Sequence, residues 1–401
     1  MFNTASQRRT RCLAMLRQAP NISSKPSTAT RPRDSTREAT RTSTAFAARP
    51  RWQRYSPGRR RGGLVIYGLR VFAIGGGTGL SALLAGLKQF MDPPPEPSKD
   101  DVYFADLSAL VTVTDDGGSS GRLRDEFQML PPGDIRNCLV SLSADESLLS
   151  SLFQYRFEGS GDLAGHNFGN LFLTALTGVT GDFSEAVRAA SQVLAIRGRV
   201  FPSTNQRVSL RAELDDGSIV WGETNITGSP QRVRRVYLEP EDCRPPREAL
   251  KALTQADLVL IGPGSLYTSL VPNLLVPGVT EAIASSGADV VYLANVMTQP
   301  GETTGYSLVD HVEALLDHAP GLELSCVLRN SASIPAEMIA RYREDGAEPV
   351  RHSRGDALPC ALVSEDLLHP GAAVRHDGVK TAGALQSIFH RAHARVVHTS
   401  P

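Results

Sequence analysis

From about residue 70, short apolar runs alternate along the chain with polar, glycine-rich segments. The run at 69–74 contains β-branched and aromatic residues, a glycine cluster follows it, and apolar residues then recur at helical spacing as far as Phe90. This pattern predicts a strand, a turn and a helix. The apolar run at 107–114 predicts a second buried strand, and two strands that flank a helix predict a right-handed βαβ unit.

The same alternation continues through the rest of the chain. Segment 131–193 has mostly helical spacing, whereas alternation on both sides of Asp216 and Gly217 predicts a β-hairpin. Apolar runs at 257–261 and 288–293 predict two more strands, each of which ends in a polar loop. Parallel strands with such loops at their carboxyl ends are typical of a doubly wound sheet with a ligand crevice along that edge. We therefore predict an α/β, Rossmann-like doubly wound fold with a mainly parallel sheet, a helical insertion and a hairpin.

Composition agrees with a large mixed core. The chain has 401 residues, 41% of them hydrophobic, and 35 glycines, which excludes a small stapled fold and favours a loop-rich α/β architecture. The five cysteines are scattered without a CxxC spacing, so they predict neither a disulfide framework nor a thiolate zinc site and favour a reducing compartment. No apolar run reaches the roughly 18 residues that a membrane helix needs, so we expect no membrane span.

Charge is distributed unevenly along the chain. Residues 1–61 have a net charge of +13, from fifteen basic and two acidic residues, and residues 62–401 have a net charge of −13, from 27 basic and 40 acidic residues. The basic segment resembles an organelle transit peptide, although a disordered tail and a mis-assigned start codon fit equally well. We predict a basic, disordered extension at 1–64 and a folded domain at 70–392. Charge alone supports no nucleic-acid partner.

Two glycine turns follow predicted strands. The first comprises Gly75, Gly76, Gly77, Thr78 and Gly79, and the second comprises Gly262, Pro263, Gly264 and Ser265. Such turns let the backbone approach a ligand closely, and a helix that follows offers unpaired N–H groups to an anion. Leu80 stands where a dinucleotide fingerprint has its third glycine, so an NAD site is not supported. The two turns predict a diphosphate site, with a tight structural turn as the alternative.

The loop after the second strand combines carboxylates, glycines, serines and arginines. It contains Asp115, Asp116, Gly117, Gly118, Ser119, Ser120, Arg122 and Arg124. Because carboxylates repel phosphate, the two aspartates are expected to accept hydrogen bonds from ribose or sugar hydroxyls, or to hold a Mg²⁺ that bridges to phosphate. The serine hydroxyls and glycine N–H groups would donate hydrogen bonds to the ligand, and Arg122 or Arg124 would pair with its negative charge. The alternative is a solvated Asx turn.

Further polar groups precede predicted helices. His166, Asn167 and Asn170 lie just before a helical run and either cap and pack it or contact a ligand. Tyr267 follows the second glycine turn and either stacks on a base or packs in the core. Asp134 precedes an amphipathic run and is predicted as its N-cap. The sequence has no CxxC signature of redox catalysis.

A series of strings along the chain resembles the YvcK-like gluconeogenesis factor family (UPF0052), which is similar to the CofD-like proteins. The resemblance extends over about residues 70–390. The strings are "GGGTGLSALLAGLK", "TDDGGSSGRLR", "PPGDIRNCL", "LFQYRF", "HNFGNL", "GRVFPST", "GPGSLYTSLVPNLLVPG" and "NVMTQPGET".

The resemblance implies a Rossmann-like domain that binds UDP-sugars, notably UDP-N-acetylglucosamine. In this family such binding links central carbon use to cell-wall synthesis and cell shape, without an established catalytic activity. The enzyme branch of the superfamily, 2-phospho-L-lactate transferase of coenzyme F420 synthesis, is the alternative. A bacterial cytoplasmic location is implied, or a plastid if residues 1–61 are a transit peptide. A homo-oligomer and a regulatory protein partner remain open.

The resemblance also implies roles for single residues. The two glycine turns would hold the diphosphate, and Asp115 and Asp116 match aspartates that lie near metal and acceptor in the enzyme branch. Asn295 opens the string "NVMTQPGET" and joins the expected ligand site. Tyr342 and Arg375 match family positions that would complete a uridine or sugar pocket.

Overall fold

The computed structural model describes residues 67–95, 101–144, 148–353 and 355–399, the last nine of these by their backbone alone. The predicted extension at 1–64 lies outside the described residues. Within the described part, no helix is both long and apolar enough to cross a bilayer.

The strands form two sheets. In chain order they are β1 (Tyr67–Gly75), β2 (Val102–Val111), β3 (Arg199–Pro202), β4 (Ser209–Leu214), β5 (Ile219–Trp221), β6 (Val233–Glu239), β7 (Leu258–Ile261), β8 (Asp289–Leu293), β9 (Cys326–Asn330) and β10 (Ala361–Glu365). Seven of them make a parallel sheet in the order β10-β9-β8-β7-β1-β2-β3. The other three make an antiparallel sheet in the order β5-β4-β6.

Helices flank the main sheet and connect its strands. In chain order they are α1 (Thr78–Lys88), α2 (Gly118–Phe127), α3 (Gly133–Leu142), α4 (Leu148–Gln154), α5 (Phe168–Thr180), α6 (Phe183–Val193), α7 (Glu223–Thr227), α8 (Arg247–Thr254), α9 (Val271–Leu275), α10 (Val279–Ser286), α11 (Leu308–His318), α12 (Ala336–Glu344) and α13 (Gly378–Thr399). A π-helical turn, Leu266–Leu270, precedes α9. Helices α2 to α6 form the predicted helical insertion between β2 and β3. The predicted fold class is confirmed.

The core lies on both faces of the parallel strands. Phe72, Ile74, Leu260 and Val291 are each at most 1% exposed. Strands covered on both faces need continuous apolar runs, which explains why these segments lack the alternation of a half-exposed strand. Burying one such side chain contributes about 1.5–3 kcal/mol of transfer free energy.

The antiparallel sheet contains the predicted hairpin. Strands β4 and β5 pair around Asp216 and Gly217, and Gly217 adopts a φ of +82° that favours glycine. Leu210, Ala212 and Leu214 are buried, whereas the residues between them on β4 are partly exposed. The sheet therefore packs one face on the domain and presents the other to solvent.

Strand order reverses at the centre of the main sheet. From β1 the chain proceeds to β2 and β3 on one side, and it later returns to β7, β8, β9 and β10 on the other. Ligands of doubly wound sheets bind outside the carboxyl ends of the strands at such a switch point. Both predicted glycine turns lie here, because one follows β1 and the other follows β7.

Candidate functional site

The two glycine turns are in direct contact. Gly262 N donates to Ile74 O at 2.9 Å, and a Cβ added at Gly79 would lie 2.5 Å from Pro263 O. The buried amide of Asn273 donates to Gly75 O at 3.0 Å and to Ser269 O at 2.7 Å. Asn273 was not predicted from the sequence. Since α1 starts at Thr78, the first turn leads directly into a helix N-terminus that can accept an anion.

Asp134 lies against the first glycine turn. A Cβ added at Gly77 would lie 2.6 Å from Asp134 Cγ, so only glycine fits there. The prediction that Asp134 caps α3 is wrong: the N-cap is Pro132, and Asp134 is in the first helical turn, where its carboxylate accepts from Gly77 N–H. Burial, with the carboxylate of Asp115 as the next cause, raises the pKa of Asp134 to about 7.

The predicted aspartate pair joins two further carboxyl groups. Asp115 Oδ1 accepts from Gly117 N at 2.9 Å. Asp116 Oδ1 accepts from Thr224 N at 3.0 Å and from Thr224 Oγ1 at 2.7 Å, which ties the second strand to α7. Burial raises the pKa of Glu223, the first residue of α7, to about 9, with Asp115 as the next cause. Asp134 and Glu223 complete an acidic wall that spacing along the sequence could not reveal, because three separate segments supply its four carboxyl groups.

Ser119 connects the start of α2 with the start of α5. Its Oγ lies 3.1 Å from His166 Nδ1 and accepts from Asn170 Nδ2 at 3.2 Å. Asn167 caps α5 by accepting from Asn170 N, and its own amide donates to Gln154 O at 2.9 Å. Burial lowers the pKa of His166, and Arg122 lowers it further. Both effects favour the neutral imidazole, which can accept a hydrogen bond from the Ser119 hydroxyl. These predicted residues bind one another and fix the wall of the site.

Ser120 and Arg124 also have structural partners. A Cβ added at Gly133 would overlap Ser120 Oγ, so α2 and α3 start in close contact. The Arg124 guanidinium is buried and donates to Val208 O at 2.8 Å and to Ser209 Oγ at 2.9 Å. Arg124 therefore anchors the antiparallel sheet.

A cavity of about 470 Å³, which we call the arginine cavity, opens beside the first glycine turn. It is lined by Thr78, Ser81, Ala82, Ala85, Arg136, Asn137, Val140, Ser141, Gln154, Arg156, Asn167 and Arg375. Burial lowers the pKa of Arg136, and Arg156 lowers it further. Arg136 Nε is buried without a hydrogen-bond partner among the described residues. Guanidinium groups are the side chains that bind phosphate and carboxylate best, so this lining favours an anionic ligand.

Two of these arginines were not predicted as site residues. Arg136 and Arg156 lie in the strings "PPGDIRNCL" and "LFQYRF", which supported only the family resemblance. Arg375 was predicted, and the structure shows what positions it. Tyr342 Oη accepts from Val374 N at 3.1 Å, and Arg341 donates to Ala372 O, so α12 holds the segment that carries Arg375.

The second glycine turn is braced by amides. Asn295 Nδ2 donates to Gly264 O at 2.9 Å, and Gln299 Nε2 donates to Ser265 Oγ at 2.8 Å. Tyr267 is 1% exposed, and its hydroxyl lies 2.8 Å from that of Tyr306. Its ring also packs edge-on against His318, so the structure places Tyr267 in the core packing that was the alternative to base stacking.

The described residues contain no group of three or more His, Cys, Asp or Glu side chains arranged to hold a metal ion. Asp115 and Asp116 alone would therefore supply at most the one or two carboxylates that a phosphate-bound Mg²⁺ usually takes from a protein. Asp116 already accepts two hydrogen bonds from Thr224, which leaves Asp115 as the better placed of the two.

The sequence model of the family "2-phospho-L-lactate transferase CofD" matches residues 71–368, which span the main sheet from β1 to β10. The chain belongs to the CofD family. The resemblance inferred from the sequence is thereby confirmed.

Relatives in this family are named for gluconeogenesis. The "Gluconeogenesis factor" of Bacillus subtilis is 45% identical over 323 residues, which is 80% of this chain and 98% of that protein. The "Gluconeogenesis factor" of Halalkalibacterium halodurans is 45% identical over 318 residues, which is 79% of this chain and 95% of that protein. A crystal structure of a UPF0052 family protein from Bacillus halodurans is 44% identical, with a TM-score of 0.72, and covers 79% of this chain and 98% of its own.

Replacing Asp134 with asparagine is expected to stabilise the protein increasingly as pH rises. The pKa of Asp134 in the folded chain, about 7, exceeds the value near 3.8 of an unperturbed aspartate, so folding favours the protonated carboxyl. Ionising it between pH 4 and pH 7 therefore costs stability, which asparagine avoids. Thermal unfolding of D134N and wild type at pH 5 and pH 8 tests this. The melting-temperature difference should shift by a few degrees in favour of D134N at pH 8, and an unchanged difference would contradict the assignment.

Proposed function

We propose that this chain is a non-catalytic regulator that binds a nucleotide sugar, namely UDP-N-acetylglucosamine, and links gluconeogenic carbon use to cell-wall synthesis and cell shape. The proposal takes its metabolic context from relatives named gluconeogenesis factors. It takes its ligand class from the switch point, where two glycine turns and the arginine cavity meet.

The arginine cavity is the observation that carries the ligand class. Arg136, Arg156 and Arg375 line one cavity beside the N-terminus of α1. Burial lowers the pKa of Arg136 and repulsion from Arg156 lowers it further, so a bound anion would offset both effects. A diphosphate offers the bidentate acceptors that guanidinium groups prefer. The carboxyl groups of Asp115 and Glu223 lie elsewhere at the same switch point and would accept hydrogen bonds from ligand hydroxyls.

The bonding of Ser119, the hydroxyl that lies beside His166, supports the regulator assignment. Ser119 is buried, and its hydroxyl already contacts His166 and Asn170, so it is held within the wall of the site. The alternative function is a 2-phospho-L-lactate transferase, as in the enzyme whose name the family bears. The wall of carboxyl groups favours it, because phosphoryl-group transfer commonly employs carboxylate-bound Mg²⁺.

Asp115→Asn tests whether this carboxylate contacts the bound ligand. In a regulator, the substitution should weaken nucleotide-sugar binding by about tenfold, because one carboxylate acceptor for a sugar hydroxyl or for Mg²⁺ is lost. Calorimetry with and without Mg²⁺ measures this. Affinity equal to that of wild type under both conditions would show that Asp115 serves only its loop.

A thermal-shift series tests the proposal directly. The chain is heated with UDP-N-acetylglucosamine, UDP, GDP or NAD, each in excess. A ligand at 100 times its Kd adds about 2.7 kcal/mol, which corresponds to a shift of a few degrees in a domain of this size. We expect a shift with the UDP-sugar and none with NAD. A shift with GDP alone would favour the transferase and lead to an assay with a deazaflavin acceptor.

A further inference from the structure

A second cavity, which we call the edge cavity, lies at the carboxyl ends of β8 and β9. Its volume is about 230 Å³. Its apolar lining comes from Val296 after β8, Ile334 after β9, Ile339 on α12 and Val350 in a later loop. The loop is held in place because Val350 N donates to Val296 O at 3.0 Å. Four separate segments thus converge on a small cavity, lined by both aliphatic and polar side chains, at the edge where ligands bind.

The edge cavity lies next to the second glycine turn. Asn295 lines the cavity, and its amide donates to Gly264 O. Strand β7 ends in that turn and neighbours β8, and β9 is one strand farther. The cavity therefore lies about 5–10 Å from the second glycine turn, measured along the sheet edge. A ribose bridges a comparable gap between a diphosphate and its base.

The polar groups of the cavity are mainly donors. Asn295 and Asn330 use their amides within the protein: Asn330 Oδ1 accepts from Ala332 N and Leu367 N, and Asn295 Oδ1 accepts from Tyr292 Oη. Arg329 donates through Nε to Ser364 Oγ, and its terminal nitrogens extend its donor capacity. His352 Nδ1 is buried without a hydrogen-bond partner among the described residues, and it lies 3.6 Å from Asp356 Oδ2.

We propose that the edge cavity is the nucleobase site and that it selects uracil. The inference rests on the proposed function, because it assumes that a diphosphate lies between the two glycine turns. The aliphatic lining packs on the faces of a flat ring, and Arg329 and His352 donate to its edge. Uracil presents two carbonyl acceptors to such donors, whereas cytosine replaces one of them with an amino group. The arginine cavity then binds the opposite end of the ligand, which carries the phosphates and the sugar.

Filling the edge cavity tests the assignment. The full chain, Val350→Trp and the exposed control Val193→Trp are titrated calorimetrically with UDP, CDP and inorganic pyrophosphate. The wild type and Val193→Trp should bind UDP at least tenfold more tightly than CDP. Val350→Trp should lose at least tenfold in UDP affinity while keeping its pyrophosphate affinity within about twofold.

Two results would overturn the assignment and leave the proposed function intact: equal UDP affinity in Val350→Trp and wild type, or equal affinity of the wild type for UDP and pyrophosphate. Failure of the wild type to bind either ligand would overturn the proposed function as well. If Val350→Trp does not fold by circular dichroism, Arg329→Met replaces it. That variant should lose the preference for UDP over CDP, and an unchanged preference would contradict the uracil site.

Discussion

Replacing Arg136 with glutamine is expected to weaken UDP-N-acetylglucosamine binding by about a hundredfold. Arg136 is partly buried in the arginine cavity, where its Nη2 donates to Asn137 Oδ1 at 2.6 Å and its Nε has no partner among the described residues, so a ligand phosphate would use its remaining donors. Removing one member of a buried charge pair costs about 2–5 kcal/mol, and each 1.4 kcal/mol is a factor of ten in Kd. Arg375→Gln should have an effect of the same direction, reduced because this side chain is exposed.

Arg136→Gln should leave the unliganded protein at least as stable as wild type. Burial lowers the pKa of Arg136 and repulsion from Arg156 lowers it further, so removing the Arg136 charge removes two unfavourable contributions from the folded state. The matched control is Arg188→Gln, which removes an exposed arginine that pairs with Glu185 on α6, away from the cavity. Calorimetry measures the affinities, and denaturant unfolding measures the stabilities. An affinity of Arg136→Gln within threefold of the control would exclude the arginine cavity as the phosphate site.

Gly77→Ala is expected to abolish most ligand binding and to destabilise the fold. The φ of Gly77 is −83°, which alanine adopts readily, so the effect comes from contact alone. The new Cβ would lie 2.6 Å from Asp134 Cγ and 3.0 Å from Asp134 Cα, which forces the glycine turn or the start of α3 to move. We expect a loss of about 1–3 kcal/mol in unfolding free energy and at least a hundredfold loss in affinity.

Gly178→Ala provides the control for this experiment. Gly178 lies in α5, where an added Cβ meets nothing within 4 Å. Alanine should stabilise this helix by up to about 1 kcal/mol and leave binding unchanged. The double variant Gly77→Ala/Asp134→Ala removes the carboxylate and should recover part of the lost stability. No recovery would show that the conflict is not with Asp134.

The carboxyl edge of the sheet could be predicted because local patterns determine it. Gly75 to Gly79, Asp115 and Gly262 each follow an apolar run directly, and parallel strands bring their carboxyl ends together. The position of Asp134 was mispredicted because an N-cap is judged from neighbours along the chain, whereas Asp134 contacts a glycine turn 57 positions away. The role of Asp134 is therefore set by its contact with Gly77 and not by its neighbours along the chain.

The arginine cavity and the acidic wall could not be predicted from spacing. Arg136, Arg156 and Arg375 come from α3, from the segment after α4 and from the segment before α13, and only the tertiary fold brings them together. Glu223 similarly reaches the site from the antiparallel sheet region. Tyr267 shows the opposite case, since its sequence neighbours suggest a ligand contact while its burial places it in the core. Which of the predicted residues touch a ligand stays a prediction.

The central claim is that the chain binds UDP-N-acetylglucosamine at the switch point and leaves it intact. Phosphorus NMR of the ligand, recorded over hours with the full chain and Mg²⁺, tests both parts at once. The account predicts that both diphosphate resonances shift or broaden on adding protein, that Arg136→Gln largely abolishes this change, and that no new phosphorus resonance appears. Unaltered resonances would contradict binding, and new phosphate or phosphodiester resonances would contradict a non-catalytic role.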